Sequence, residues 1–352
     1  MGLSYRVATI MIESIIESVG LILGAGLCYQ WTGTWRDRMR FPAPGRMLRI
    51  PGAALHCFEQ GLGSLTIVLE AGISASSLSW RPVQKELARH HRVLAYDRAG
   101  YGWSPKSHSP RTIRKLCEEL EALLQASGAS GPYVLVGHSF GALLLRHFAA
   151  HAPHKVAGLV LVDPLEPMEW SPLSDTQALR ARKGVQLSRR GALLARLGVV
   201  RLGLDLLTSG AQFLPKILAR AFSGKGVSVT DRLVGEVRKL PRELWPIMKA
   251  QWCQPRGFDT MAEYLARLPA TCALALDDGP LRNLPLVVIS AERTSPVVME
   301  AHRATAALSS CGKHIVAEGS GHWVQLDRPE LVVRAALEVA EQAQRLVRAE
   351  EG

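Results

Sequence analysis

No two cysteines stand close together in this sequence. Cys28, Cys57, Cys117, Cys253, Cys272 and Cys311 are scattered with no C-x-x-C pair. That spacing excludes the usual zinc motifs and a disulfide framework, and leaves buried free thiols as the expectation. Internal repeats and low-complexity segments are also missing. With 47% hydrophobic and 21% charged residues over 352 positions, the composition excludes a collagen, a disordered tail and a polytopic membrane protein. The length suits one large α/β domain with an insertion, or two small domains. Acidic residues are the minority charge, 31 Asp and Glu against 42 Lys and Arg, for a net +11. Where that excess sits decides whether an anionic partner is implied.

One long apolar run is present, at the start. Val7 to Leu27 is long enough to cross a bilayer as a helix, broken only by Glu13 and Glu17. A cleaved signal peptide fits poorly, because only Arg6 precedes the run and no A-x-A site follows. A lipoprotein site at Cys28 fits poorly too, since bulky Leu27 precedes it. The expectation is a retained single-pass anchor. Glu13, Glu17, Gly20 and Gly24 share one helix face, and Gly20 with Gly24 forms a G-x-x-x-G that would let two copies pair as a homodimer. Arg36, Arg38, Arg40, Arg46 and Arg49 follow, against Asp37 alone. The positive-inside bias puts that side, and the remainder of the chain, in the cytoplasm.

From Arg46 onward short β-rich runs alternate with helical stretches. MLRI and ALHCFEQ read as a hairpin; TIVLEAG, RVLAYDRAG, YVLVGHS, GLVLVD, LPLVVISA and KHIVAEGSG each read as a strand plus turn. The middle runs are continuously apolar, as strands covered on both faces must be. Helical spacing fills 110–125, 142–152 and 329–350 between them. The alternation implies a mostly parallel, eight-stranded sheet wrapped in helices, an α/β class fold.

Between Pro164 and Leu284 the alternation stops, and helical spacing continues without a convincing strand. From Arg180 to Lys249 fifteen Lys and Arg stand against four Asp and Glu, so the whole excess charge lies in this insertion. A solvated helix face is the simplest reading. Aromatic residues that could stack bases are few there (Phe213, Phe222, Trp245), which argues against nucleic acid as a partner. With an anchor upstream, the same surface could instead lie against anionic headgroups.

YVLVGHSFGALLLRHFAA carries the chemistry. A strand ends in Gly137-His138-Ser139-Phe140-Gly141 and a helix begins at once, the setting of a G-x-S-x-G nucleophile elbow. A serine hydroxyl needs a base, and the base needs an orienting acid. His322, in Glu318-Gly319-Ser320-Gly321-His322-Trp323 after the last β-run, suits the base. For the acid, Asp163 ends GLVLVD and Glu292 follows LPLVVISA, and both keep the order serine, acid, histidine.

These residues resemble the α/β-hydrolase family over the span from Arg46 to the C-terminus, apart from the insertion. Asp97-Arg98-Ala99-Gly100-Tyr101-Gly102-Trp103-Ser104 is similar to the family's D-R-x-G-x-G-x-S loop, and Gly319-Ser320-Gly321-His322 to its histidine loop. The resemblance implies an α/β-hydrolase sheet with a helical cap inserted after the sixth strand. It also implies an oxyanion hole made by the backbone N–H groups of Ile73 and Phe140. Ala71-Gly72-Ile73 stands where the family usually has His-Gly, so a loop-bracing side chain is replaced by Ala71. The family's usual aspartate slot after the seventh strand reads Ala291-Glu292-Arg293-Thr294, and Thr294 cannot act as the acid. A subset of the family carries its acid at the end of the sixth strand, which favours Asp163 over Glu292.

The expected organisation is an anchor helix over 1–35, a core over 36–164, a basic helical cap over 165–283 and a second core segment over 284–352. The expected activity is hydrolysis of a carboxylic ester, less so an amide or thioester, through an acyl-enzyme on Ser139, with His322 and Asp163 completing the triad. No metal and no organic cofactor are implied, and Leu, Trp and Phe in the cap suggest an apolar small-molecule substrate. An acyltransferase on the same triad, an inactive membrane-associated binding protein and a salt-sensitive surface adaptor are the competing readings.

Overall fold

The computed structural model of the protein describes residues 2–208 and 239–351. Phe213, Phe222 and the part of the basic insertion between 209 and 238 lie outside the described residues. Eight strands, β1 (Arg46–Ile50), β2 (Ala53–Gln60), β3 (Thr66–Glu70), β4 (Arg92–Tyr96), β5 (Tyr133–His138), β6 (Val156–Val162), β7 (Leu286–Ala291) and β8 (Gly312–Ala317), form one sheet in the order β1-β2-β4-β3-β5-β6-β7-β8. β2 pairs antiparallel with β1 and with β4; every other neighbouring pair is parallel.

The apolar runs work by alternation across two buried faces. Leu135, Leu159, Leu161, Leu286 and Val288 point to one face, where they meet Leu120, Leu123 and Leu124 of α3 (Ile113–Ser127) and Leu145 and Phe148 of α4 (Phe140–His151). Val134, Val136, Val160, Val162, Val287 and Ile289 point to the other. There they meet Val83 and Leu87 of α2 (Arg81–Leu87) and, from the C-terminal helix Pro329–Glu351, Val332, Ala336 and Val339. Burying each Leu, Ile or Val side chain stabilises the fold by about 1.5–3 kcal/mol, so these central strands anchor the domain. β3 sits between β4 and β5, so chain order reverses beside it. The crevice beyond the carboxyl ends of β3 and β5 is where such sheets place a ligand.

The helical insertion follows β6. Its described helices are α5 (Asp175–Arg196), α6 (Val199–Thr208), α7 (Trp245–Trp252) and α8 (Pro255–Leu276). A further helix, α9 (Pro296–Ala306), precedes β8, and α10 is the C-terminal Pro329–Glu351. α8 seats the insertion on the core: Tyr264, Leu268, Cys272 and Ala275 pack with Tyr101, Ile113, Leu116, Phe140, Leu143 and Leu144. Trp245 belongs to a smaller cluster with Leu240 and Met248, its indole N–H donating to the Leu240 carbonyl.

At the N-terminus a single helix, α1, runs from Gly2 to Arg40 without a break. It continues past the apolar run and carries Arg36, Arg38 and Arg40 on its last turns. Its two halves differ. Ile12, Ile15, Ile16, Leu21 and Ile22 are exposed, whereas from Tyr29 onward the helix docks on the insertion. Tyr29 donates to Asp205, Gln30 donates to the Cys253 carbonyl at 2.9 Å, and Arg201 donates to Gln30 Oε1 at 3.1 Å. Arg201 also forms an ion pair with Asp37 at 2.7 Å. One of the insertion's basic residues is therefore buried and paired with α1, not solvated.

Candidate active site

β5 and α4 are joined at Ser139, whose backbone takes φ 55°, ψ −121°. A non-glycine residue at positive φ is costly, and it persists only where its surroundings hold it. The Ser139 N–H donates to the Val162 carbonyl at 3.0 Å, while its own carbonyl accepts from Ala142, Leu143 and Leu165. The flanking glycines are sterically required. A Cβ on Gly137 would come within 2.7 Å of the Ala142 backbone, and one on Gly141 within 2.6 Å of the Ala71 carbonyl oxygen.

Asp163, just past β6, also has positive φ, at 40°. Its Oδ2 lies 2.6 Å from His322 Nδ1. Its Oδ1 accepts from the Ala291 N–H and the Thr294 hydroxyl, each at 2.9 Å. Burial alone would raise this carboxyl. The hydrogen bond and charge of His322, with the Ala291 and Thr294 donors, outweigh burial and hold it below the ordinary carboxylate range. With Nδ1–H donating to Asp163, the Nε2 lone pair of His322 is left to accept a proton. Glu292 is exposed and accepts from the Gly319 N–H at 3.2 Å instead. Among the described residues no hydrogen bond links Glu292 to His322, and none links Ser139 Oγ to the His322 ring; such contacts often tighten only when substrate is bound.

Three residues contribute in ways the sequence did not disclose. Thr294, unfit to be an acid itself, donates to Asp163. His138, inside the G-x-S-x-G, is buried; its Nε2–H donates to the His322 carbonyl at 2.8 Å, and its ring lies 4.6 Å from the His322 ring. Burial and the nearby His322 charge push the His138 imidazole down to about 3, so it is neutral. Arg98 braces the loop after β3. Its guanidinium donates to the carbonyls of Ala71 and of Gly72 (2.7 Å to the latter), pairs with buried Glu70, and reaches Tyr264 of α8 at 3.0 Å. Burial pushes the Glu70 carboxyl up to about 7 against the pull of Arg98.

The Arg98 contacts tie the loop after β3 to the loop after β4 and to α8; in the sheet register Glu70, at the end of β3, pairs with Gly137. Neither the Ile73 nor the Phe140 N–H is taken by a backbone acceptor among the described residues. A cavity of about 610 Å³ opens beside His322, lined by Asp163, Thr294, Ser320, His322, Trp323 and Lys239 among others. Ser139 is not in its lining.

The sheet order, the helical insertion after β6 and the strand–serine–helix turn define the α/β-hydrolase fold. Residues 66–200 match the family model for that fold, and the chain is an α/β-hydrolase-fold protein. Among curated proteins, the chain is 39% identical over 116 residues to the uncharacterized protein YqjL of Bacillus subtilis (strain 168), covering 33% of this chain and 46% of that one. It is 44% identical over 79 residues to lipase LipV of Mycobacterium tuberculosis (strain ATCC 25618 / H37Rv), covering 22% and 30%. The chain spans about half the length or less of the curated relatives it matches. Among solved structures, a laboratory-evolved variant of potato epoxide hydrolase aligns with a TM-score of 0.64 at 23% identity, covering 84% of this chain and 98% of that one.

Proposed function

We propose that the protein is a membrane-anchored serine hydrolase that cleaves a carboxylic ester through an acyl-enzyme on Ser139. The observation that carries this reading is the 2.6 Å bond between His322 Nδ1 and Asp163, set beside the strained turn at Ser139. In the proposed cycle His322 Nε2 takes the Ser139 proton as Oγ bonds to the ester carbonyl carbon. The carbonyl oxygen becomes an oxyanion held by the N–H groups of Ile73 and Phe140. Collapse breaks the bond to the alkoxy oxygen, which leaves as the alcohol with the proton from His322. Water then attacks the acyl-enzyme, giving its proton to His322, and the carboxylic acid departs as Ser139 recovers its hydrogen. Asp163 stays ionised throughout and fixes the imidazole.

The name of lipase LipV, a relative over a short span, supports an ester as substrate. The domains follow the sequence reading: core segments 36–164 and 284–352, with the cap 165–283 choosing an apolar acyl or alcohol group. The exposed, apolar first half of α1 supports a bilayer anchor, being part of the one described helix long and apolar enough to cross a membrane. Along it a groove lined by Glu17, Gly20, Leu21, Gly24 and Ala25 offers the face on which two copies would pair. A serine-directed fluorophosphonate tests the enzyme reading. It should label the full chain and not Ser139→Ala; equal labelling of both would overturn the assignment.

A further inference from the structure

On the far side of α4 from Ser139 lies a second cluster that the proposed chemistry does not use. His147 and His151 stand one helical turn apart on α4, and Asp278 follows the end of α8 by two residues. His147 Nδ1 is 2.7 Å from Asp278 Oδ1, and His151 Nδ1 is 3.8 Å from the same oxygen. The two imidazole centroids are 4.1 Å apart. One donor atom from each of the three side chains falls within 4.8 Å of the others. A tetrahedral ion with ligand bonds of about 2.0–2.2 Å holds its ligands about 3.4 Å apart. His151, exposed at 62% of its side chain, can close that difference by rotating.

The buried carboxylate points to a cation. The Asp278 side chain is only 2% exposed, and its Oδ2 accepts no hydrogen bond among the described residues. The nearest guanidinium, Arg146, stands 3.7 Å from Oδ2 with its Nε and 3.4 Å from Glu166 with its Nη1. One positive charge is thus divided between two buried carboxylates, an arrangement in which burial of charge is poorly compensated. A divalent ion taking the place of the hydrogen bond between His147 Nδ1 and Asp278 Oδ1 would supply the missing charge. It would also give the bare oxygen or its neighbour a partner.

We propose that His147, His151 and Asp278 form a site for a divalent transition metal, zinc by the match of two imidazoles and one carboxylate, with water completing the tetrahedron. Its place in the fold gives it a purpose. Asp278 belongs to the chain as it leaves the cap, and both histidines belong to the helix that begins at Phe140. A bound ion staples the cap's return to the helix that follows Ser139. The inference does not depend on what Ser139 does.

The test uses the full chain in detergent, stripped with a chelator and titrated with Co²⁺, with Zn²⁺ as competitor. One equivalent of Co²⁺ should bind with the visible absorption of a tetrahedral site, and Zn²⁺ should displace it. His151→Ala, at an exposed position that leaves the fold intact, should weaken binding at least tenfold. It should also abolish the rise in thermal midpoint that Zn²⁺ gives the parent chain. His147→Ala should do the same. Failure of the parent to bind an equivalent, or binding left unchanged by His151→Ala and His147→Ala, overturns the site. In the second case the ion sits elsewhere, for example at His302 and His314, which both hydrogen-bond Ser290.

Discussion

His322 and Asp163, separated by 159 positions in the chain, are joined by a 2.6 Å hydrogen bond across the carboxyl edge of the sheet. The bond unites the loop after β8 with the residue just past β6. Glu292 stands near the same loop, yet its carboxylate accepts from the Gly319 backbone.

Asp163→Asn should therefore lower kcat on an activated ester by about 10³–10⁴, because an amide presents the wrong partner to Nδ1–H. Glu292→Gln should stay within a few-fold of the parent. Initial rates on a chromogenic ester rank the two, and the reverse ranking would transfer the acid's role to Glu292.

Thr294→Val removes one of the donors that keep Asp163 ionised while preserving shape. A hydrogen bond to a charged group contributes about 1.5–3 kcal/mol, so a fall in kcat of about tenfold or more is expected with KM little changed. Any loss of activity caused by protonation of Asp163 should also set in at a higher pH, since Asp163 loses one of the groups that lower its pKa. An unchanged profile would make Thr294 purely structural.

His138 is neutral in the folded chain, with its imidazole near 3, and recovers an ordinary value near 6.5 on unfolding. Between those values the unfolded chain binds more protons, so the contribution of His138 to stability is full above about pH 6.5 and falls as pH drops toward 3. His138→Gln should flatten that part of the curve. Urea midpoints measured at pH 7 and pH 4.5 should differ less in the variant than in the parent; an equal difference would contradict the assignment.

Arg98→Met leaves Glu70 buried without its partner, and breaking such a pair costs about 3–5 kcal/mol. Adding Glu70→Gln should recover part of that loss. Ester turnover should stay low in the double variant, because the carbonyls of Ala71 and Gly72 still lack their donor. Recovery of both stability and turnover would show that Arg98 does not position the loop.

The strands were legible because continuous runs such as Val134–Val136 and Leu159–Val162 have only one way to bury both faces, between helices. The turn at Ser139 was legible because Gly137 and Gly141 mark a turn that nothing larger tolerates. Chain order fits both Asp163 and Glu292, and only the family resemblance favoured Asp163; the direction of each carboxylate, which separates them, is not written in the sequence. Thr294 and Arg98 were hidden for a related reason: each acts through a partner distant in the chain, Asp163 in one case, Glu70 and Tyr264 in the other. The docking of α1 was hidden too. Gln30 and Asp37 look like the polar end of an apolar run, and Arg201 looks like one more charge in a basic stretch. The burial of Gln30 and Arg201, with half-buried Asp37 beside them, follows from packing between segments about 170 residues apart.

At a rise of 1.5 Å per residue, the 39 residues of α1 make a rod about 58 Å long. Tyr29, Gln30 and Asp37 clamp one end of that rod to Asp205, Cys253 and Arg201, all in the cap. Ile12, Ile15, Ile16, Leu21 and Ile22, in the other half, are exposed. A rigid lever held in this way passes any tilt of its free arm directly to the piece it is clamped to. On the proposed reading of that arm as a bilayer anchor, changes in bilayer thickness or curvature would reach the cap first, and through α8 the core beneath it.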